Sequence, residues 1–207
     1  MNGLDLRVYV ITACAPELGR THEQVAIAAL RGGATAIQFR DKVMDDHQFT
    51  ETAIRLAKLA RAAAVPLIVN DRVAIAIAVG ADGVHIGRTD GNVYDIRRSM
   101  PREMILGVSA TSYSEAVQMS ATGADYIGVG PVFPTSSKAD AAPPIGVDEL
   151  GRICGGIDKP IVAIGGINRE NLRRVIDAGA AGAAVISAVT HAPDMVVAVA
   201  ALRGIWH

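Results

Sequence analysis

The amino-acid sequence predicts an α/β fold, a closed (β/α)8 barrel of parallel strands occupying residues 1–207 as one domain, and three observations predict it. Eight short aliphatic runs recur along the 207 residues. Segments of helical spacing lie between them. A glycine-alanine turn recurs at residues 33, 80, 123 and 179, in steps of about 50 that each span two strand-helix units. Near-continuous apolar strands imply burial on both faces, which a parallel sheet with helical crossovers provides. Eight units of about 25 residues use the whole chain, and a closed barrel is their simplest arrangement. An open doubly wound sheet is the rival, for which eight near-equal units are many.

In chain order, Val8-Tyr9-Val10-Ile11 is the first strand, and Thr21-His22-Glu23-Gln24 has the capping-box pattern that opens a helix. Gly33-Ala34 closes that helix ahead of the second strand, Ala36-Ile37-Gln38-Phe39. Residues 49–64 read as an amphipathic helix with Ala53, Leu56, Ala57, Ala60 and Ala64 on one face. Leu67-Ile68-Val69 is the third strand, and Gly80-Ala81-Asp82-Gly83 leads into the fourth, Gly83-Val84-His85-Ile86. The intervening apolar stretch 73–79 is far shorter than the roughly 20 residues needed to cross a bilayer. Ile105-Leu106-Gly107-Val108 is the fifth strand and Ser112-Tyr113-Ser114-Glu115 a second capping box. Gly123-Ala124-Asp125-Tyr126 opens the sixth strand, Tyr126-Ile127-Gly128-Val129. The segment 131–146 after it is rich in Pro, Ser, Ala and Thr, longer than an average connection, and reads as a lid carrying Lys138. Ile161-Val162-Ala163-Ile164 is the seventh strand, with Gly165-Gly166 before a helix opening at Asn168, and Gly179-Ala180-Ala181-Gly182 introduces the eighth, Ala183-Ala184-Val185-Ile186.

Composition narrows the function classes. Half the residues are hydrophobic, 20% are charged, and aromatics make up only 4%, which suits alanine-rich helices on aliphatic strands better than an antiparallel barrel. Lys+Arg at 20 against Asp+Glu at 21 gives a net charge of -1, so no global field favours nucleic acid or an anionic membrane. Cys14 and Cys154 are too few for a disulfide framework and suit a reducing compartment, and the first seven residues lack a signal-peptide pattern, which reads as a cytoplasmic start. The sequence leaves a homo-oligomer open.

Barrels of this kind carry chemistry where strands end and helices begin. Gln38, Arg40 and Lys42 alternate after the second strand and project to one side if the strand continues. Asn70-Asp71-Arg72 follow the third strand, Arg88-Thr89-Asp90 the fourth, Ser109 the fifth, and Thr135-Ser136-Ser137-Lys138 the sixth. Asp71 and Asp90 on adjacent strand ends, faced by Arg40, Lys42 and Lys138, form a pattern suited to Mg2+ and a diphosphate. Gly165-Gly166 and Ser187-Ala188 suit a monophosphate, the usual place for one after the seventh and eighth strands. His85 inside a strand reads as a hydrogen-bonded core histidine. The remaining histidines show no metal-ligand spacing, and no nucleophile-base pair assembles from Cys14 or the serines.

Seven ordered motifs cover nearly the full chain: Gln38-Phe39-Arg40-Asp41-Lys42, Val69-Asn70-Asp71-Arg72, Gly83-Val84-His85-Ile86-Gly87 with Asp90, Gly107-Val108-Ser109, residues 130–138, Ile164-Gly165-Gly166-Ile167 and Val185-Ile186-Ser187-Ala188. Together they resemble the thiamine-phosphate synthase family. The resemblance implies a TIM barrel and a transferase that couples 4-amino-5-hydroxymethyl-2-methylpyrimidine diphosphate to hydroxyethylthiazole phosphate, releasing pyrophosphate through a pyrimidine carbocation. It implies that Gln38, Arg40, Lys42, Asn70 and Lys138 hold the pyrimidine diphosphate, with Ser109 on the same side, and that Asp71 and Asp90 bind Mg2+. It implies that Thr135 and Ser137 meet the thiazole partner, with Gly166, Ile186 and Ser187 around its phosphate. Lys138, Ser109 and Arg40 are the residues expected to act in catalysis. Three positions depart from the family's usual pattern: Ala13 replaces an Asp, Arg88 a Gln, and Thr111 a frequent His. The sister thiazole tautomerases depend on a His near Thr111, so this chain fits the synthase better. A tautomerase-like enzyme and a catalytically silent thiamine-phosphate-binding barrel are the alternatives.

Overall fold

A computed structural model describes residues 4–87, 90–135, 137 and 142–206. The strands are β1 (Val8–Thr12), β2 (Ala36–Phe39), β3 (Leu67–Asn70), β4 (Gly83–Ile86), β5 (Ile105–Ala110), β6 (Tyr126–Val129), β7 (Ile161–Ile164) and β8 (Gly182–Val185). Between and after them run α1 (His22–Arg31), α2 (Asp46–Ala62), α3 (Val73–Ala78), α4 (Val93–Ser99), α5 (Tyr113–Ser120), α6 (Gly146–Gly156), α7 (Leu172–Asp177), α8 (Ser187–Thr190) and α9 (Met195–Ile205). Every strand pairs in parallel with its sequence neighbour, and β1 pairs with β8, so the sheet closes on itself. This is the (β/α)8 TIM barrel that the aliphatic runs predict. Among the described residues no helix is long and apolar enough to cross a membrane.

The recurring turns work as a repeated joint. Gly33, Gly80, Gly123 and Gly179 all have φ between +65° and +90°, which a residue without Cβ adopts at low cost. At three joints the next residue pair ties the helix end to the sheet. Thr35, Asp82 and Asp125 each donate their N–H to the carbonyl of Val8, Leu67 or Leu106, at 2.8, 3.0 and 2.8 Å. Their side-chain oxygens accept the N–H of those same residues at 3.0, 2.9 and 2.8 Å. The side chain thereby satisfies a donor at the start of the preceding strand. At the fourth joint Ala181 keeps only the backbone half, donating to Ile161 at 2.8 Å.

Local chemistry moved some boundaries. Thr21 and Gln24 form the complete capping box. At the second, Ser112 accepts from Glu115 N–H, but the Glu115 carboxylate turns to the N–H and hydroxyl of Thr111 instead of back to Ser112. The helix after β7 starts at Leu172, not Asn168, because the Asn168 side chain accepts from the N–H groups of Glu170 and Asn171 and holds a turn there. In α2 the expected face is buried at Ala53, Leu56, Ala57 and Ala60, whereas Ala64 lies beyond the helix, exposed, at φ +53°.

Two apolar layers hold the fold. One lies between the strands and the helices, built around Val10, Ile37, Val69, Leu106, Ile127 and their helix partners. The other fills the barrel interior with Tyr9, Ile11, Ala36, Ile68, Tyr126, Val162 and Ala184. Size complementarity is local: Gly107 on β5 is register partner of Tyr126 on β6. A Cβ on Gly107 would stand 2.1 Å from Tyr126 Cζ. Gly107→Ala is expected to lower stability by about 1–3 kcal/mol through overpacking, read as a reduced urea midpoint; an unchanged midpoint would show that the ring yields freely.

Candidate active site

Side chains of a strand alternate between faces, so the residues after Ala36 on its inward face are Gln38 and then, beyond β2, Arg40 and Lys42. All three line a cavity of about 260 Å³ at the end of the barrel where the strands terminate. Asn70, Asp71, Asp90 and Ser109 join them there from β3, β4, β5 and their following loops, and Thr135, Ser137, Gly166, Ile186 and Ser187 close the opposite wall. Every sequence-predicted site residue within the described range therefore reaches one cavity. Lys138 lies outside the described residues, as do Arg88 and the centre of the expected lid.

Asp71 and Asp90 form the acidic part of the wall. Asp71 is held at φ +62°, and its N–H donates to the His85 carbonyl at 2.9 Å. Such a conformation is strained for a residue with a side chain and recurs at functional sites. Asp90 accepts the Gly87 N–H at 2.6 Å. The two carboxyl groups lie close enough to shift each other, and Lys42 pairs with Asp71. Burial, reinforced by Asp90, raises the Asp71 carboxyl above the usual range despite Lys42. In Asp90 the burial that would raise it is outweighed by the hydrogen bonds from Asp71 and Gly87 and by Lys42, so it falls below that range. Opposed shifts of two neighbouring carboxyls are the signature of like charges held close. Arg40, half-buried at the same mouth, has no carboxylate partner among the described residues.

A chain of contacts outside the cavity fixes the loops that carry these groups. Arg72 donates to Asp46 at 2.7 Å and to the Met44 carbonyl at 2.5 Å, and its guanidinium lies 4.2 Å from the Phe49 ring centroid. Phe49 stacks on Phe39 at 4.1 Å, and His22 meets Phe39 edge-on. His22 spans Thr12 Oγ1 at 2.8 Å and Asp41 Oδ2 at 3.0 Å, while Asp41 Oδ1 accepts the N–H groups of Val43 and Met44, both at 2.7 Å. The loop bearing Lys42 is therefore clamped to α1 and to the loop bearing Asp71. Cys14, His22 and Asp41 also offer ligand atoms within 4.8 Å of one another, a grouping that sequence spacing does not reveal. Burial lifts the Cys14 thiol above its ordinary range, so it is no activated nucleophile.

The opposite wall is made of backbone and hydroxyls. Gly165 and Gly166 take φ +97° and +64°, and a Cβ on Gly166 would lie 2.4 Å from the Pro134 carbonyl. The stem of the β6–α6 connection continues the sheet beside them, with Val132 and Phe133 donating to Ile164 and Gly165 at 2.8 and 3.1 Å. Ser137 Oγ reaches Ser187 Oγ at 3.4 Å, and Ser187 begins the one-turn helix α8 directly after β8. Loops after the seventh and eighth strands with a short extra helix are the recurrent phosphate site of this fold.

The floor holds two residues that the sequence did not single out, Tyr9 and Tyr126. Gln38 Nε2 donates to Tyr9 Oη at 2.9 Å, Tyr9 and Tyr126 hydroxyls meet at 2.8 Å, and Tyr126 Oη lies 2.9 Å from His85 Nδ1. His85 Nε2 then meets Ser109 Oγ at 2.9 Å. Burial raises both tyrosine hydroxyls, so both stay protonated at neutral pH. His85 is hydrogen-bonded inside the barrel, as expected. Tyr9 and Tyr126 read as core in the sequence because each sits among aliphatic strand residues.

The family described as thiamine monophosphate synthase matches residues 8–189. The chain is 50% identical over 202 residues to the thiamine-phosphate synthase of Chloroflexus aurantiacus, covering 98% of this chain and 93% of that one. It is 44% identical over 198 residues to the thiamine-phosphate synthase of Methanoregula boonei, covering 96% and 92%. Among solved structures, the thiamine phosphate pyrophosphorylase from Pyrococcus furiosus superposes with a TM-score of 0.88 at 40% identity, covering 98% of this chain and 96% of that one.

The clamp has a pH signature. Burial lowers the His22 imidazole below its ordinary 6.5, although Asp41 opposes the shift. Below pH 6.5 the unfolded chain takes up a proton that the folded chain resists, so stability falls as pH drops from 6.5 toward the folded value. Chemical denaturation across that window is expected to show this loss, and His22→Gln to flatten it; equal slopes for the two proteins would remove His22 as the cause.

Proposed function

The chain belongs to the thiamine monophosphate synthase family, and we propose on that premise that it couples 4-amino-5-hydroxymethyl-2-methylpyrimidine diphosphate to hydroxyethylthiazole phosphate, giving thiamine phosphate and pyrophosphate. One observation carries the reading: a single cavity sets a carboxylate pair with Arg40 and Lys42 on one wall against a glycine and serine cradle on the other. Two anionic substrates fit such walls, one at each end, with their reacting carbons and nitrogen between.

In the proposed reaction the bond from the pyrimidine methylene to the diphosphate oxygen breaks, and its electron pair leaves with the diphosphate. The thiazole nitrogen then gives its lone pair to the resulting cation. No protein nucleophile is required, which agrees with the absence of an activated cysteine at the mouth. The residues must instead neutralise the departing charge and align the partners. Arg40, Lys42 and Lys138 would pair with the diphosphate, Gln38, Asn70 and Ser109 would orient the pyrimidine, and Thr135 and Ser137 would meet the thiazole. Gly166, Ile186 and Ser187 would surround the thiazole phosphate.

Asp71 and Asp90 fit a hard divalent cation: two carboxyl groups stand close enough to shift each other in opposite directions, and oxygen is the donor such ions prefer. They would hold Mg2+, which when bound supplies positive charge to the diphosphate. Thr111, at the place of the tautomerases' histidine, has its N–H and hydroxyl on Glu115 at 2.7 and 2.9 Å, which favours the synthase reading. The balanced charge of -1 suits a cytoplasmic enzyme of small molecules without nucleic-acid or membrane partners.

The purified protein is expected to form thiamine phosphate and pyrophosphate from the two substrates with Mg2+ and to stop when the metal is chelated; no product under either condition would sink the proposal. Asp71→Asn should reduce turnover on the order of 100-fold or more while leaving the melting temperature near that of the parent. Unchanged kinetics would remove the metal assignment. Gly166→Ala should raise KM for the thiazole phosphate more than KM for the pyrimidine diphosphate, since its Cβ would push on the Pro134 carbonyl beside the cradle. An equal rise in both would place the effect elsewhere.

A further inference from the structure

We infer that the buried relay Gln38–Tyr9–Tyr126–His85 fixes the direction of the Ser109 hydroxyl, so that Ser109 offers its proton to an acceptor atom of the pyrimidine diphosphate. The inference rests on the synthase reading for the identity of that substrate. The relay itself rests on hydrogen-bond accounting.

The direction follows from one end. The amide Nε2 of Gln38 donates to Tyr9 Oη and accepts nothing. The Tyr9 proton must therefore go elsewhere, and among the described residues the other group within reach is Tyr126 Oη at 2.8 Å. Tyr126 receives it and passes its own proton to His85 Nδ1 at 2.9 Å. With Nδ1 accepting, the neutral imidazole carries its proton on Nε2, which donates to Ser109 Oγ at 2.9 Å. That bond occupies one lone pair of Ser109 and turns its O–H away from His85 into the cavity that both residues line.

The opposite tautomer fails the same accounting. A proton on Nδ1 would donate to Tyr126, whose proton would then have to enter Tyr9 Oη, already taken by Gln38. The Tyr9 proton would be left without an acceptor on a side chain that is 1% exposed. A buried donor without an acceptor is costly, and the observed chain avoids it. Burial raises both tyrosines, so neither hydroxyl leaves the relay by ionising near neutral pH. Gly107 makes room for the Tyr126 ring, and Gly128 faces His85, where a Cβ would stand 3.0 Å from Cε1. The two glycines thus let both rings lie across the barrel.

A serine hydroxyl otherwise turns among staggered positions, and only some face a bound ligand. The relay removes that search before substrate arrives, which is how preorganised dipoles contribute to catalysis. Tyr126 and His85 act through Ser109 and are positioning residues.

Nitrogen-15 spectra of the ligand-free protein report the tautomer without any turnover. The expected result is a proton on His85 Nε2 and an unprotonated Nδ1 at neutral pH; a proton on Nδ1 would overturn the relay's direction. Tyr126→Phe should release the tautomer and lower kcat about tenfold, with KM for the thiazole phosphate unchanged. In a Ser109→Ala background the same substitution should cost less than about twofold, because the two act as one unit. If Tyr126→Phe lowers only the melting temperature, or if its effect simply adds to that of Ser109→Ala, the relay is structural and the inference fails. Tyr9→Phe keeps a Tyr126 proton for His85 and should leave the tautomer in place. Absence of synthase activity in the parent protein would refute the function proposed above, while the nitrogen spectra would still decide the relay.

Discussion

Alternation of side chains along strands that close into a barrel is the constraint on which the rest of this molecule depends. Each strand sends every second residue inward, and closure makes the inward residues of neighbouring strands share layers. Ala36, Ile68 and Val162 keep the interior apolar, and Tyr9 and Tyr126 cross it with their hydroxyls touching. Gln38, Asn70, His85 and Ser109 belong to the same inward set, nearer the mouth. Polarity therefore rises along the barrel axis, from a dry interior to a charged rim. A one-residue slip in any strand would turn its polar group toward the helices and an aliphatic one into the cavity.

The two walls of the cavity are built by different means, and the difference matches what each is proposed to hold. The acidic and cationic wall comes from long side chains on loops clamped by Arg72, Phe49, Phe39, His22 and Asp41. Such side chains are mobile by nature, so their loops need external tethers. The opposite wall is mainly backbone at Gly165 and Gly166 with short hydroxyl side chains, and its position is set by pairing of Val132 and Phe133 to the end of β7. A phosphate recognised by backbone N–H groups and short hydroxyls needs few rotamers frozen, whereas a diphosphate leaving with growing charge needs full cations nearby.

Most of the fold was legible because its signals are local and repeated. Four strands coincide with their aliphatic runs, and the glycine-alanine joints fall before every second strand. Two departures arose where a polar side chain had a choice of partner. Glu115 turned to Thr111, and Asn168 held a turn ahead of α7, and neither choice follows from spacing alone. The candidate site residues within the described range were legible as a group because parity and loop position send them to one mouth. The tyrosines of the floor were not, since a tyrosine inside an aliphatic strand carries the same pattern as a core residue until its hydroxyl's partners are known. The grouping of Cys14, His22 and Asp41 was hidden for a related reason: its members come from the ends of three separate elements.

Charge in the cavity is balanced in a way that leaves its cations available. Lys42 pairs with Asp71, yet its side chain is 54% exposed while that of Asp71 is 19% exposed. An ion pair with one arm in water contributes about 0–1 kcal/mol, so little would hold Lys42 against the proposed diphosphate. Asp71 cannot leave, because its backbone is fixed at φ +62° by the hydrogen bond to His85 and the turn into α3. A lysine that is free to change partner, beside carboxylates that are not, suits the proposed site, in which anionic substrates come and go while Asp71 and Asp90 stay in register. The strain at Asp71 is consistent with that division. It holds one oxygen-bearing group beside Asp90 at the cost of local conformational energy, and the clamp through Arg72 on the next residue keeps the loop from relaxing.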